Sequence, residues 1–161
     1  MSGTRRSGDS RGVTLIEMLL VVALIGLLVS LSFPAVSSGV DSLRLTWAAD
    51  STVSFLQTAL NRVERRQQAI EVTISKAENA IWLHSSEPGY ARKLEMPEGV
   101  YIAAVLPALL QEPDEQRRFM LYPGGTVPAF GLEIHNARGA GRIVQIDPIT
   151  GTPQVERVGL R

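Results

Sequence analysis

The sequence predicts an α+β protein, a long N-terminal helix packed on a small antiparallel β domain. Three observations carry that prediction. From Met18 to Phe33 the run is apolar apart from Gly26, Ser30 and Ser32. A second stretch, to about Arg66, repeats apolar residues at three- and four-residue spacing, the period of a helix with one buried face. From Ala69 onward the period falls to two and the stretches are separated by glycine- and proline-containing turns, as in antiparallel strands.

The first element is long enough to span a bilayer. Val13 to Phe33 are 21 residues, about 31 Å of helix at a rise of roughly 1.5 Å per residue, against a hydrocarbon core of about 30 Å. Arg5, Arg6 and Arg11 precede it against Asp9 alone, whereas Asp41 and Arg44 beyond it cancel. The positive-inside bias therefore puts residues 1–12 in the cytoplasm and everything after Pro34 outside. Glu17 is the anomaly. An acidic side chain costs about 2.5–3.5 kcal/mol at the centre of a membrane helix and less near its ends. A plain anchor gains nothing from it; a segment that must later pass from lipid to a protein neighbour can use it. The alternative is a secretory signal peptide cut near Ala35-Val36-Ser37. Against it, the run exceeds a usual signal core, and Glu17 falls where that core should be most apolar.

The second element places Leu45, Ala48, Ala49, Thr52, Phe55, Leu56, Ala59, Leu60 and Val63 on one face, with Asp41, Arg44, Asp50, Ser54, Gln57, Asn61, Glu64 and Arg65 on the other. Pro34 lacks an amide hydrogen, so either a bend within one helix or a break between two helices is expected there. Strands follow at Ile70–Ile74, Ile81–Leu83, Gly99–Val105, Arg118–Tyr122, Gly131–Asn136 and Arg142–Ile146, with a last one through Val155 and Val158. Pro123-Gly124-Gly125 and Pro148-Ile149-Thr150-Gly151 read as turns. His84–Pro97 and Leu106–Glu115 show no regular pattern and read as loops. The resulting organisation is 1–12 leader, 13–66 helix with 13–33 in the membrane, and 67–161 a β-rich globular domain.

Sixteen basic and sixteen acidic side chains give zero formal net charge, but without residues 1–12 they number 13 and 15, a net of −2. A mildly acidic chain argues against a general nucleic-acid surface. With no cysteine, disulfides and thiolate metal sites are excluded.

Gly12, then Val13-Thr14-Leu15-Ile16-Glu17, then a long apolar helix resembles the processing and assembly segment of type IV pilins and type II secretion pseudopilins. The resemblance implies that a membrane aspartyl peptidase, the prepilin peptidase, cuts between Gly12 and Val13 and N-methylates Val13. It makes Glu17 the assembly glutamate, fifth after the cut. Gly26 and Pro34 match a glycine and a proline of the family's helix, read as sites of bending. One departure is Val13, where the family usually has phenylalanine. Further along, the order of Tyr122-Pro123-Gly124-Gly125, the strands at Gly131–Ile134 and Ile143–Asp147, and Thr150-Gly151 is similar to the minor pseudopilin H group; minor pilins of type IV pili share this domain. The calcium loop of the major pseudopilins is not matched, since Asp147 stands alone. The larger tip-capping subunit lacks the early glutamate that this chain has.

No nucleophile motif, phosphate-cradling loop or paired carboxylates can be read, and His84 and His135 have no carboxylate at metal-ligand spacing. Gly124-Gly125 and Gly139-Ala140-Gly141 are turn chemistry. Arg62, Arg65 and Arg66 suit the negative end of the helix. Reading them, or Arg138, Arg142, Arg157 and Arg161, as DNA contacts is the minority alternative, because some minor pilins take up DNA through an arginine-bearing tail. The expectation is a non-enzymatic subunit with no catalytic residues, cofactor, metal or small-molecule substrate. Its expected partners are other major and minor pseudopilins, the peptidase and the bacterial inner membrane, with its domain in the periplasm and no nucleic acid bound. Its place would be near the tip of a filament that drives protein export; a type IV pilus minor pilin for priming or DNA uptake is the alternative.

Overall fold

A computed structural model describes residues 13–85, 89–109, 116–147 and 149–158, with residues 33–37 described by backbone alone. Gly12 and Arg161 lie outside the described residues, as does most of the segment after Pro107. Among the described residues the order is one helix, α1 (Leu15–Arg66), then eight strands: β1 (Ile70–Ser75), β2 (Ala80–Ser85), β3 (Ala91–Glu95), β4 (Val100–Leu106), β5 (Arg117–Leu121), β6 (Gly131–Asn136), β7 (Gly141–Ile146) and β8 (Pro153–Arg157). They form two four-stranded sheets, β3-β2-β1-β5 and β4-β6-β7-β8, with every pairing antiparallel. The fold class is α+β.

Helical assignment runs through Pro34. By contacts the chain divides into Met1–Ser38 and Gly39–Arg161, so the second half of α1 belongs with the sheets. In that unit Leu45, Ala48, Ala49, Leu56, Ala59 and Val63 are buried together with the inward residues of both sheets, in one contiguous core. Thr52 is buried on the same face, and its hydroxyl donates to the Ala48 carbonyl at 2.8 Å, so it enters the core with its proton satisfied. Phe119 and Phe130 stack at 4.2 Å between ring centres where the two sheets meet.

The helix ends without a glycine. Gln67 adopts the left-handed conformation (φ 54°), and its side-chain amide donates to the Glu64 carbonyl at 2.7 Å, satisfying one of the helix's orphan acceptors. Arg65 and Arg66 in the last turn complement the negative end of the helix.

His84–Pro97 is not a loop throughout. β2 continues to Ser85, and Ala91–Glu95 forms β3 at the sheet edge. Of its five residues only Leu94 is half-buried; Ala91, Arg92, Lys93 and Glu95 are exposed, Arg92 even though it shares the face of Leu94, so no alternation of polarity marks it. Charged side chains on such an edge also discourage pairing with another chain. In the second stretch read as a loop, β4 includes Leu106, residues 107–109 and Gln116 carry no regular structure, and the remainder lies outside the described residues.

The free edge of β4 is closed by side chains of the other sheet. Asn79, in the β1–β2 turn, donates from Nδ2 to the Val100 carbonyl at 2.7 Å and accepts from the Ile102 amide at 2.9 Å. It thus pairs with β4 as a strand would. Arg117 of β5 donates from Nη1 to the carbonyls of Val105 at 2.8 Å and Pro107 at 2.6 Å. Asn79 also adopts φ 51°, a conformation that asparagine tolerates far better than alanine. Asn79→Ala therefore loses two hydrogen bonds, leaves two backbone groups unpaired and strains the turn, and it is expected to destabilise the domain by about 3 kcal/mol. Asn79→Gly, free of the strain, is expected to fall between it and the parent. Urea unfolding of the full chain in detergent, followed by tryptophan fluorescence, checks this; equal midpoints for parent and alanine variant would remove the stitching role.

The β7–β8 turn is organised by Asp147. Its carboxylate accepts the amides of Ile149 at 2.7 Å and Thr150 at 3.3 Å, and the side-chain amide of Gln154 at 3.2 Å. The Ile149 and Thr150 amides hold its carboxyl below the usual aspartate range. The turn is therefore braced at neutral pH, and that support goes only as pH falls through this depressed value.

Candidate functional site

The site singled out by sequence is built on the first turn of α1. Val13 and Thr14 precede the helix, and the Glu17 amide donates to Thr14 Oγ1 at 3.3 Å and to the Thr14 carbonyl at 3.1 Å. Thr14 is thus the N-cap. Thr-Leu-Ile-Glu has the spacing of a capping box, in which a hydroxyl residue is followed three positions later by glutamate. That signal was present in the sequence and was missed there. It gives Glu17 a local role beside any intermolecular one: an acid in the first turn faces the positive end of the helix, worth about 0.3–1 kcal/mol at an exposed site.

The helix that follows is bare. Glu17 is exposed, and so is every side chain from Leu15 to Ser32, with Leu15 at 81 % and Leu28 at 64 %. Leu15–Ser32 is the one described stretch long and apolar enough to cross a membrane. Ser32 Oγ donates to the Leu28 carbonyl at 2.8 Å, which satisfies a hydroxyl proton without an outside partner. Gly26 is helical, and a Cβ built there would meet nothing within 4 Å; nearest-neighbour packing within this chain does not require glycine.

Residues 8–33 match the family model described as the prokaryotic N-terminal methylation motif. The match indicates a type IV pilin-like protein. Such a motif marks structural rather than enzymatic proteins, handled by prepilin peptidase and assembled with other pilins, and the single N-terminal apolar helix fits a single-pass membrane anchor. No curated protein and no solved structure was found to match the chain.

In the unit Gly39–Arg161, α1 also shows solvent an apolar face. Val40, Leu43 and Trp47, at three- and four-residue spacing, are 41 %, 70 % and 56 % exposed. Beyond Trp47 this face continues as a shallow groove over Ser51, Ser54 and Thr58. The periodicity of the buried residues pointed to the opposite face, and this one passed unnoticed among polar neighbours.

Of the arginines named as DNA-contact alternatives, Arg142 and Arg157 stand directly opposite each other on β7 and β8, whereas Arg62 and Arg138 are engaged elsewhere. The Arg62 guanidinium lies 3.8 Å from the centre of the Tyr90 ring. Arg138 Nε donates to Asp41 Oδ2 at 2.7 Å, tying the β6–β7 turn to the helix. Arg44 donates to the Glu98 carbonyl at 3.3 Å, and Arg157 is exposed on the edge strand β8.

The sequence sets no carboxylate at metal-ligand spacing from either histidine, yet His135 has a carboxylate beside it. Its Nε2 lies 2.6 Å from Glu133 Oε1, because residues two apart on β6 share a face. Gly141 is required there: a Cβ at 141 would lie 2.7 Å from His135 Nε2. His84 stands opposite Glu71 in the β1–β2 register and stacks on Trp82. Among the described residues no three histidine, cysteine or acidic side chains form a group that could hold a metal ion.

Proposed function

We propose that this chain is a minor pseudopilin, of the H-like group, in a type II secretion system. The observation that carries the reading is the segment from Gly12 to Glu17, followed by a helix whose apolar side chains from Leu15 to Leu31 are exposed among the described residues. The precursor waits in the bacterial inner membrane with its N-terminus cytoplasmic and its β domain periplasmic. Cleavage after Gly12 frees an amine on Val13, which the peptidase methylates. In the filament, Glu17 of one subunit pairs with the Val13 amine of a neighbour. A matched pair in a helical bundle costs less than a lone carboxylate, so it sets register more than it adds stability. The apolar surface exchanges lipid for neighbouring helices, where close packing and matched charge decide the preference. Val40, Leu43 and Trp47 extend the assembly surface onto the domain. Gly26 and Pro34 are the places where the helix adjusts to its neighbours. The subunit acts by position near the tip of a short periplasmic filament that drives folded proteins outward, and it catalyses nothing.

A type IV pilus minor pilin is the second reading, since the same motif serves both. Its DNA-receptor form is disfavoured by the engagement of Arg62 with Tyr90 and of Arg138 with Asp41, which takes two of the candidate arginines out of use and leaves the cross-strand pair Arg142 and Arg157. Phosphate binding would release counterions and weaken steeply with salt. The full chain in detergent is expected to retain minor pseudopilins in a pull-down and to shift no DNA in a mobility assay at low salt. Tight, salt-sensitive DNA binding that is lost in the Arg157→Ala, Arg161→Ala double variant would replace the secretion reading with the pilus one.

A further inference from the structure

The outer face of the sheet β3-β2-β1-β5 carries side chains that neither the core nor the helix uses. Strand register sets them in two rows. Arg118, Thr73, Trp82 and Lys93 are successive cross-strand partners, and beside them run Met120, Glu71, His84 and Ala91. Four strands at a spacing of about 4.8 Å make each row roughly 14 Å long. Over β5, β1 and β2 the rows floor a shallow cleft of about 360 Å³, lined by Arg118, Thr73, Trp82, Glu71 and His84 together with Glu78 and Gln116.

Trp82 is the unexpected member, because nothing about a solvent-facing sheet surface calls for an indole in its second strand. Its ring lies nearly parallel to His84, with centres 6.1 Å apart and planes 16° apart. The Lys93 ammonium sits 4.6 Å from the centre of the indole and 2.6 Å from Glu95 Oε1. The half-buried indole thus has His84 stacked against it and the Lys93 ammonium over its ring, so a ligand reaches the ring by displacing the end of the flexible Lys93 side chain.

We propose that this face binds a neutral, β-linked saccharide chain. Three features select that chemistry. An aromatic face has negative potential and attracts the weakly positive C–H bonds that project from the flat side of an all-equatorial pyranose. Around the ring stand groups that pair with hydroxyls: Glu71 accepts, Arg118 donates, and His84 and Gln116 do either. Lys93 is matched by Glu95, and Arg118 is set against Glu71 and Glu78, so there is no positive field to favour a polyanion such as nucleic acid. The cleft is shallow and runs across the strands, which suits an extended ribbon of sugars better than one enclosed ring. Thr73 is already engaged, its hydroxyl donating to Glu71 Oε1 at 3.2 Å, a bond that orients the Glu71 carboxylate. This inference does not rest on the assembly reading.

The test uses the full chain in phosphatidylcholine nanodiscs, which contain no sugar. In a Trp47→Phe background Trp82 is the sole tryptophan, so its emission reports the site directly. Titration with chitotetraose is expected to shift that emission saturably, and the α-linked maltotetraose to bind more weakly because it does not lie flat. Arg118→Ala, an exposed position, should weaken binding about tenfold, the order expected for a charge-assisted hydrogen bond. Trp82→Leu, followed by saturation-transfer NMR on the sugar, should abolish it with the far-UV spectrum unchanged. Lys93→Ala should bind as well as the parent or better, since the ammonium competes for the ring. The proposal is overturned by no saturable response to chitotetraose, by equal affinity in Arg118→Ala and Trp82→Leu, or by a response to a heparin oligosaccharide that Lys93→Ala removes. Protection of Trp82 by a partner subunit but not by the sugar would make this a protein interface instead.

Discussion

Glu17→Ala is expected to leave membrane insertion and processing intact while abolishing incorporation into filaments. Insertion becomes easier, because the substitution removes the one charged side chain of the apolar segment. The helix start also survives. The bond to Thr14 Oγ1 is donated by the backbone amide of residue 17, which alanine retains, so the local loss is the small interaction of the carboxylate with the helix end. The large effect comes at assembly, where the Val13 amine of a neighbour would be left without its partner in a poorly solvated bundle. Breaking such a buried pair costs about 3–5 kcal/mol, roughly two to three orders of magnitude in association. Co-purification with partner subunits is the measurement, and Glu17→Gln separates charge from hydrogen bonding: it keeps polarity and size but cannot neutralise an amine. A Glu17→Ala chain that co-purifies like the parent and supports full secretion would end the pairing role. Loss of processing in that variant would move Glu17 from assembly to peptidase recognition.

Gly12→Val is expected to stop maturation one step earlier, with full-length precursor accumulating in the membrane. The scissile bond must come close to the peptidase carboxylates, and a branched side chain on its N-terminal side obstructs that approach. Without cleavage there is no Val13 amine, so the variant should assemble no better than Glu17→Ala. Combining the two should add little, because both remove members of one pair. N-terminal sequencing reads the outcome. The parent should begin at Val13, methylated, and the variant at the original N-terminus. A mature chain beginning at Ser37 would instead identify a secretory signal peptide and sink the pilin-like reading of the function with it.

The N-terminal site was legible because its information is local. A glycine before the cut, a hydroxyl residue at the helix start, a glutamate three residues on and an apolar run of membrane length are all composition and spacing, and they need no fold to act. The cap at Thr14 is equally local, since its signal is a hydroxyl residue followed three positions later by glutamate. The buried face of α1 and seven of the eight strands were likewise readable, since burying one side of an element imposes its own period on the sequence. β3 broke that rule as an edge strand: with Leu94 alone half-buried, Ala91-Arg92-Lys93-Leu94-Glu95 carries no period to detect.

What only the tertiary structure decided depends on residues far apart in the chain. Local preference marks Asn79 as a turn residue; it becomes a substitute strand for β4 because Val100 and Ile102 arrive beside it from more than twenty positions away. Arg62 and Arg138 read as free charge until Tyr90 and Asp41 are brought to them. Arg118, Thr73, Trp82 and Lys93 belong to four strands, and antiparallel register alone sets them in a row. Sequence by itself determined that the chain carries a prepilin-like methylation motif and an apolar helix of membrane length, since hydropathy, charge and spacing act along the chain. The surfaces it offers beyond the helix were decided by pairing and packing, which act across it.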